Sequence, residues 1–273
     1  MAPSINGKLC LITGASDGIG KATARELAAA GAHLVLVGRN EEKTQRAASE
    51  ITQQTGSDQI EVLIADLSSQ QQVRDLAAAF LQRHDRLDVL INDAGALFTD
   101  RRETVDGLEM TFALNHLAYF LLTNLLLDVL KASAPARIVN VASSYQRAVD
   151  LDDLQNTRSY NGWDAYGQSK LANILFTFEL ARWLAGTGVT ANALNPGFVD
   201  SNFQRAAGLN MRGQLTPDQG AQTPVYLAMS PDVEGVTGEY FDSKRSTRAN
   251  AQAYDESIQR RLWQISADLT GLA

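Results

Sequence analysis

A single cysteine, Cys10, rules out any disulfide within the chain, and it shares no metal-ligand spacing with His33, His84 or His116. The lone thiol is compatible with a reducing compartment, and a cytoplasmic location is expected. Basic charge is also short, with 24 Lys and Arg against 31 Asp and Glu and a net charge of -7. This balance argues against nucleic acid or an anionic membrane surface as the main partner. It leaves open an anionic small molecule held by local positive charge. The longest apolar region, residues 111–130, carries Asn115, His116, Asn124 and Asp128, which predicts a buried helix and no membrane span. Residues 1–10 lack the apolar stretch and small-residue cleavage site of a secretory signal. There is no Pro-rich or Ser-rich linker and no repeat, so one domain is expected over residues 1–273.

What is present is alternation. Apolar runs at 9–13, 34–37, 61–64, 89–91, 137–141 and 190–194 read as strands buried on both faces. Helical patterns lie between them at 18–30, 41–54, 69–84, 105–131 and 165–186, with Gly31 and Gly186 as stop signals. The order predicts an α/β fold, a single doubly wound parallel sheet of Rossmann type with helices on both faces. Residues 240–242 are expected to add an edge strand. The stretch 198–215 breaks the pattern with scattered Phe198, Phe203, Leu209, Met211 and Leu215, and is expected to form a substrate lid.

Gly14, Gly18 and Gly20 fall between the first strand and the first helix. Glycine there permits a tight turn and lets backbone amides and the positive helix end approach a pyrophosphate. At the end of the second strand the chain reads Val37-Gly38-Arg39-Asn40. The carboxylate that meets ribose hydroxyls in NAD sites is missing there, and Arg39 offers a fork for a 2′-phosphate. NADP(H) is therefore favoured over NAD(H), with Asp17 in the glycine loop as a charge of opposing effect. Tyr166 and Lys170 stand four apart on a predicted helix, so they share a face, and an ammonium there would lower the phenol pKa. Such a pair alone is common by chance. Ser143 and Ser144 close the fifth strand, where a hydroxyl can meet a substrate oxygen.

Together, Thr13–Gly20, Asn92-Asp-Ala-Gly95, Asn115, Ser144, Tyr166 with Lys170, and Asn195-Pro-Gly197 occur in the order that resembles the short-chain dehydrogenase/reductase family, over about residues 8–200. The segments 115–123, 137–144 and 169–173 look most like its retinol dehydrogenase-like branch. The resemblance implies Tyr166 as acid-base, Lys170 on the nicotinamide ribose, Ser144 orienting the substrate oxygen and Asn115 holding a relay water near the lysine. It assigns Gly14, Ser16, Asp17, Gly18, Ile19, Gly20, Arg39 and Asn40 to the cofactor, with Asp66 and Leu67 at the adenine. Asn92, Ala94 and Gly95 would line the cofactor, and Pro196, Gly197, Val199 and Ser201 would hold its nicotinamide end. Two departures stand out: Asp93 replaces an Asn frequent in the family, and 22 residues separate Ser144 from Tyr166, more than in many members.

The expected reaction is hydride transfer between NADP(H) and a small carbonyl or alcohol substrate. Leu97, Phe98, Tyr145, Val149, Phe198, Phe203 and Met211 suggest a lipophilic one. The alternatives are a catalytically silent dinucleotide sensor that binds partners, or epimerisation or dehydration on the same scaffold. The helix through 171–184 is apolar on more than one face, which calls for cover on both sides. The family resemblance suggests a homodimer or homotetramer joined through it. The acidic residues Asp150, Asp152 and Asp153 read as a solvated loop, and no metal is expected.

Overall fold

The computed structural model describes residues 5–203, 208 and 212–272. Seven parallel strands and one antiparallel strand form a single sheet of order β3-β2-β1-β4-β5-β6-β7-β8. The strands are β1 (Leu9–Thr13), β2 (His33–Gly38), β3 (Ile60–Ile64), β4 (Val89–Asn92), β5 (Ala136–Val141), β6 (Val189–Asn195), β7 (Tyr240–Asp242) and β8 (Arg245–Ser246). The inner strands are almost wholly buried, as their unbroken apolar runs require. β7 lies inside the sheet edge, because β8 pairs beyond it.

Helices α1 (Gly18–Ala29), α2 (Glu41–Thr55) and α3 (Gln70–Arg83) follow the first three strands. Their starts are fixed by side-chain caps from Asp17, Asn40 and Ser69. The long helix expected at 105–131 is broken into pieces. It begins only at α4 (Met110–Phe112), where the buried Glu109 carboxylate caps Thr111 and Phe112, and passes through a π turn, Ala113–Leu117. It then continues as α5 (Ala118–Leu125) and α6 (Leu127–Ala132). Residues 104–108 instead form a turn closed by Gly107 N–H on the Thr104 carbonyl.

α7 (Gly162–Trp183) starts earlier than its pattern suggested, because the Asn161 side chain accepts from Trp163 and Asp164 N–H. Two helices escaped the sequence reading, α8 (Pro217–Met229), with a Thr216–Gln219 capping box, and α9 (Glu256–Thr270), capped by Asp255. α9 matters most. It packs along α7 and α5, and within this one chain every residue of α7 from Leu171 to Ala181 is buried. The apolar residues of α7 from Leu171 to Ala181 are thus covered within one chain, while Trp183 at the end of the helix stays exposed. Among the described residues no helix is long and apolar enough to cross a membrane.

The first relevant consequence of the topology is the switch between β1 and β4, where the strand order reverses. At such a point the loops at the carboxyl ends of the strands part and leave a crevice. Gly14, Asp93, Ser143 and Pro196 all follow strands that end at this edge.

Candidate active site

The glycine loop is packed too closely for any other residue at two points. Gly14 has φ +71°, and a Cβ on it would stand 2.9 Å from Ala94 Cα. A Cβ on Gly20 would stand 2.6 Å from the Gly14 carbonyl oxygen and 2.7 Å from an Asp93 carboxyl oxygen. The Thr13 hydroxyl locks the two strand ends together, accepting from the N–H groups of Asp93 and Ala94 at 2.9 and 3.1 Å. The loop therefore presents backbone and the α1 N-terminus to the crevice, the arrangement that suits a phosphate. Asp17 is occupied in capping that helix, accepting from Gly18 N–H at 2.7 Å, and it also meets the Asn202 amide.

The second strand ends less simply. Gly38 has no room for a side chain, because a Cβ would fall 2.2 Å from the Thr44 hydroxyl. Its missing carboxylate is thus also a packing requirement. Asn40 caps α2 through Lys43 N–H at 2.9 Å. Arg39 has its side chain 75% exposed, with its guanidinium 3.9 Å from the Asp66 carboxylate. Asp66 is held by the backbone N–H and hydroxyl of Ser68. Arg39 and Asp66 therefore flank one shallow surface, while the Leu67 side chain belongs to the core beneath.

Asn92 does not face the crevice. It is fully buried and donates to Asn140 at 2.9 Å and Thr123 at 3.0 Å, so its side chain ties β4 to β5 and α5. Gly95 does line the crevice: a Cβ on it would meet the Asn115 side-chain oxygen at 3.2 Å and Lys170 Nζ at 3.4 Å.

Tyr166 and Lys170 share a face of α7, and both line a cleft of about 680 Å³ together with Asp93, Ser143 and Ser144. The serine expected to act was Ser144. Ser143 and Ser144 both line the cleft, and the Ser143 hydroxyl lowers the Tyr166 pKa against burial. Ser144 is exposed and uses its backbone N–H, which donates to the Asn195 side chain at 3.1 Å. The two hydroxyls follow β5 in succession, and past Val141 the pleat no longer dictates their sides.

Lys170 is buried, and its ammonium donates to the Val141 carbonyl at 3.0 Å. Burial lowers its pKa, against which the Asp93 carboxylate acts. Asp93 itself is raised by burial, while Lys170 and a hydrogen bond from the Gly20 backbone pull it down. Tyr166 differs from expectation. Burial pushes its phenol up to about 12, opposed by the Ser143 hydroxyl, and Lys170 is not among the groups that move it. The ammonium, 5.7 Å from the Tyr166 ring centre and held by Val141, is directed elsewhere in the chain as it stands.

The far wall of the cleft is aromatic. Phe203 lies 5.3 Å from the Tyr166 ring, Trp163 stands edge-on to Tyr166, and Tyr145 packs on Trp163 at 5.4 Å. Phe198 and Val199 add to this wall, and Pro196, Gly197, Ile19 and Ser201 border it. Leu97 and Val149, expected there, are buried in the protein interior instead. Of the expected lid, residues 204–207 and 209–211, with Leu209 and Met211, lie outside the described residues. Its base is a strap in which Phe198 accepts from Gln214 and Leu215 N–H. The acidic cluster of 150–153 is committed locally, with Asp150 and Asp153 both on Arg158.

A family model described as short chain dehydrogenase matches residues 8–211, most of the chain. The chain belongs to the short chain dehydrogenase family. Retinol dehydrogenase 11 of Homo sapiens is 45% identical, over 97% of this chain and 86% of the relative. Retinol dehydrogenase 14 of Mus musculus is 44% identical over 98% and 87%. Polyprenol dehydrogenase of Homo sapiens is 39% identical over 97% and 86%. Among solved structures, a protein from Mycobacterium paratuberculosis superposes with a TM-score of 0.80 at 33% identity, covering 99% of this chain and 96% of that one. A short chain dehydrogenase from Shigella flexneri complexed with NADP gives 0.73 at 29%, covering 90% and 100%. This short chain dehydrogenase is an oxidoreductase acting on alcohol and carbonyl groups with NAD(P).

Proposed function

We propose that this dehydrogenase is an NADP(H)-dependent reductase and dehydrogenase of lipophilic carbonyl and alcohol compounds, with Tyr166 as its acid-base. The observation that carries this reading is the Tyr166 phenol, in one cleft with Ser143, standing between a buried lysine and an aromatic wall. The glycine loop fits a dinucleotide, since its two tightest glycines leave backbone alone facing the crevice. A nicotinamide bound there supplies or takes up the hydride.

In the reducing direction the Tyr166 phenol gives its proton to the substrate oxygen as that oxygen gains negative charge. A phenol raised to about 12 is fully protonated at neutral pH, the form this step needs. The Ser143 hydroxyl, which lines the same cleft, would donate to the same oxygen. Lys170 supplies positive charge behind them, and Phe203, Trp163 and Tyr145 exclude water from the reacting end. The preference for NADP(H) rests on Arg39, an exposed cation at the end of β2 with no carboxylate in place of Gly38. The lipophilic substrate class rests on the aromatic wall, and two relatives are named for the alcohols retinol and polyprenol.

The test is steady-state turnover of hydrophobic aldehydes with NADPH, in wild type and Tyr166→Phe. Turnover lost by about 100-fold or more, with NADPH binding retained, is expected from removal of the proton donor. Equal turnover in the two proteins would falsify the assignment. Binding of NADPH without turnover in either would favour the silent dinucleotide sensor.

A further inference from the structure

Asn115 lies in the π turn Ala113–Leu117, and its side chain is fully committed. Its Oδ1 accepts from Ala96 N–H at 2.9 Å, and its Nδ2 donates to the Ala96 carbonyl at 2.9 Å and to the Ser169 hydroxyl at 3.0 Å. Its backbone carbonyl is anchored separately. That oxygen accepts from the Asn173 side-chain amide at 2.8 Å, and a carbonyl keeps a second lone pair beyond one such bond.

The chain of contacts continues outward. Asn173 Oδ1 lies 3.2 Å from His116 Nδ1, and His116 Nε2 lies 2.9 Å from the Ser266 hydroxyl on α9. Asn115, His116, Asn173 and Ser266 all have zero exposure. The roles follow from donor and acceptor chemistry. The Asn115 carbonyl can only accept, so the amide end of Asn173 faces it and Oδ1 faces the imidazole. His116 therefore carries its proton on Nδ1, and its bare Nε2 accepts from Ser266. Burial keeps the ring neutral by pushing its pKa down to about 4, so the arrangement holds at assay pH. Stacking on Phe112 at 5.0 Å and edge contact with Phe176 fix the plane of the ring.

We infer that Asn173 and His116 are positioning residues that hold the backbone of Asn115, whose side chain borders Lys170 across Gly95, with Ser266 of the C-terminal helix as the outer anchor. The inference rests on the proposed proton chemistry at Tyr166 and Lys170. The juxtaposition runs through the side chain: the space that a Cβ on Gly95 would fill lies 3.2 Å from the Asn115 side-chain oxygen and 3.4 Å from Lys170 Nζ. By this chain of bonds the seating of α9, far from the cleft in sequence, sets the geometry of the residue next to the catalytic lysine.

The experiment compares Asn173→Asp, His116→Gln and Ser266→Ala with wild type, using NADPH and a hydrophobic aldehyde that wild type reduces. Asn173→Asp keeps size and removes the donor to Asn115. It is expected to lower kcat about tenfold, within the span of positioned proton transfer, with KM for NADPH unchanged. The ratio of kcat in H2O to D2O should rise, as proton transfer becomes more limiting. His116→Gln and Ser266→Ala should follow in decreasing order. Thr123→Val, which removes a buried partner of Asn92, serves as the structural control. It should lower Tm without moving the isotope ratio. If Asn173→Asp fails to fold, Ser266→Ala, which deletes one hydroxyl, decides. Wild-type kcat and isotope ratio in both Ser266→Ala and His116→Gln would overturn the inference. A readout independent of activity is 15N NMR of the imidazole at neutral pH. Protonation on Nδ1 alone supports the inference, and protonation on Nε2 overturns it even if the enzyme assay fails. Equal turnover by wild type and Tyr166→Phe counts against the acid-base assignment instead.

Discussion

Ser143 and Tyr166 line one cleft, where the Ser143 hydroxyl lowers the phenol pKa against burial, while Ser144, one residue on, is exposed and holds Asn195 through its backbone. Adjacent serines of identical chemistry therefore have unequal claims on the reaction. Ser143→Ala is expected to reduce kcat by about 100-fold, the lower range for a positioned proton or hydrogen-bond donor. Ser144→Ala should remain within about threefold of wild type, because its backbone bond to Asn195 survives. Steady-state kinetics of the two variants side by side checks this. The reverse ranking would return the role to Ser144.

Asp93 places a carboxyl against Gly20 and within electrostatic reach of Lys170. Its negative charge favours the protonated lysine, against the burial that disfavours it. Asp93→Asn removes that support, so Lys170 loses its proton at lower pH. Where activity needs the ammonium, the alkaline limb of kcat/KM must shift to lower pH in the variant. A pH profile that stays in place, or moves to higher pH, refutes the coupling.

Arg39 is exposed, and its nearest charged neighbour is Asp66 at 3.9 Å. A pair so exposed contributes little to stability, so Arg39→Ala should leave Tm nearly unchanged. Its effect belongs to the cofactor. Fluorescence titration is expected to show NADPH binding weakened about tenfold, as loss of one charge-assisted contact implies, and NADH binding hardly altered. Equal weakening for both cofactors would sink the reading of Arg39 as a phosphate contact.

The burial of α7 from Leu171 to Ala181 by its own chain leaves no apolar face there in need of a partner. Light scattering after size exclusion is expected to give the mass of a monomer. Deleting α9 would bare these residues along with Phe120, which packs on Trp263 at 5.0 Å. Association or aggregation should follow. A wild-type dimer that persists at low protein concentration would show that another surface joins the subunits.

The alternation of apolar runs and helical periods was enough to define the parallel sheet, because strands buried on both faces leave an unbroken apolar signature. The glycine loop was equally legible, since Gly14 and Gly20 answer backbone constraints that no other residue meets. The spacing of Tyr166 and Lys170 placed them on one helix face by geometry alone. α9 was missed although its signs are in the chain: Asp255 as cap, Ile258, Leu262, Ile265 and Leu269 at helical spacing, and Gly271 as stop. Other matters depended on contacts between residues far apart in sequence. Which serine acts on Tyr166 turns on the path of the chain after β5, where the pleat of the strand no longer sets the sides. Asn92 and Asn40, both assigned to the cofactor by resemblance, are engaged in the sheet and in a helix cap. The direction of the Tyr166 shift followed from burial, helped by the Asp93 carboxylate, outweighing the Ser143 hydroxyl. The sequence determined the elements and the chemical groups through local periodicity and backbone limits. Tertiary structure decided which groups meet, what each already holds, and how much water is left around them, because those depend on packing across the whole sheet.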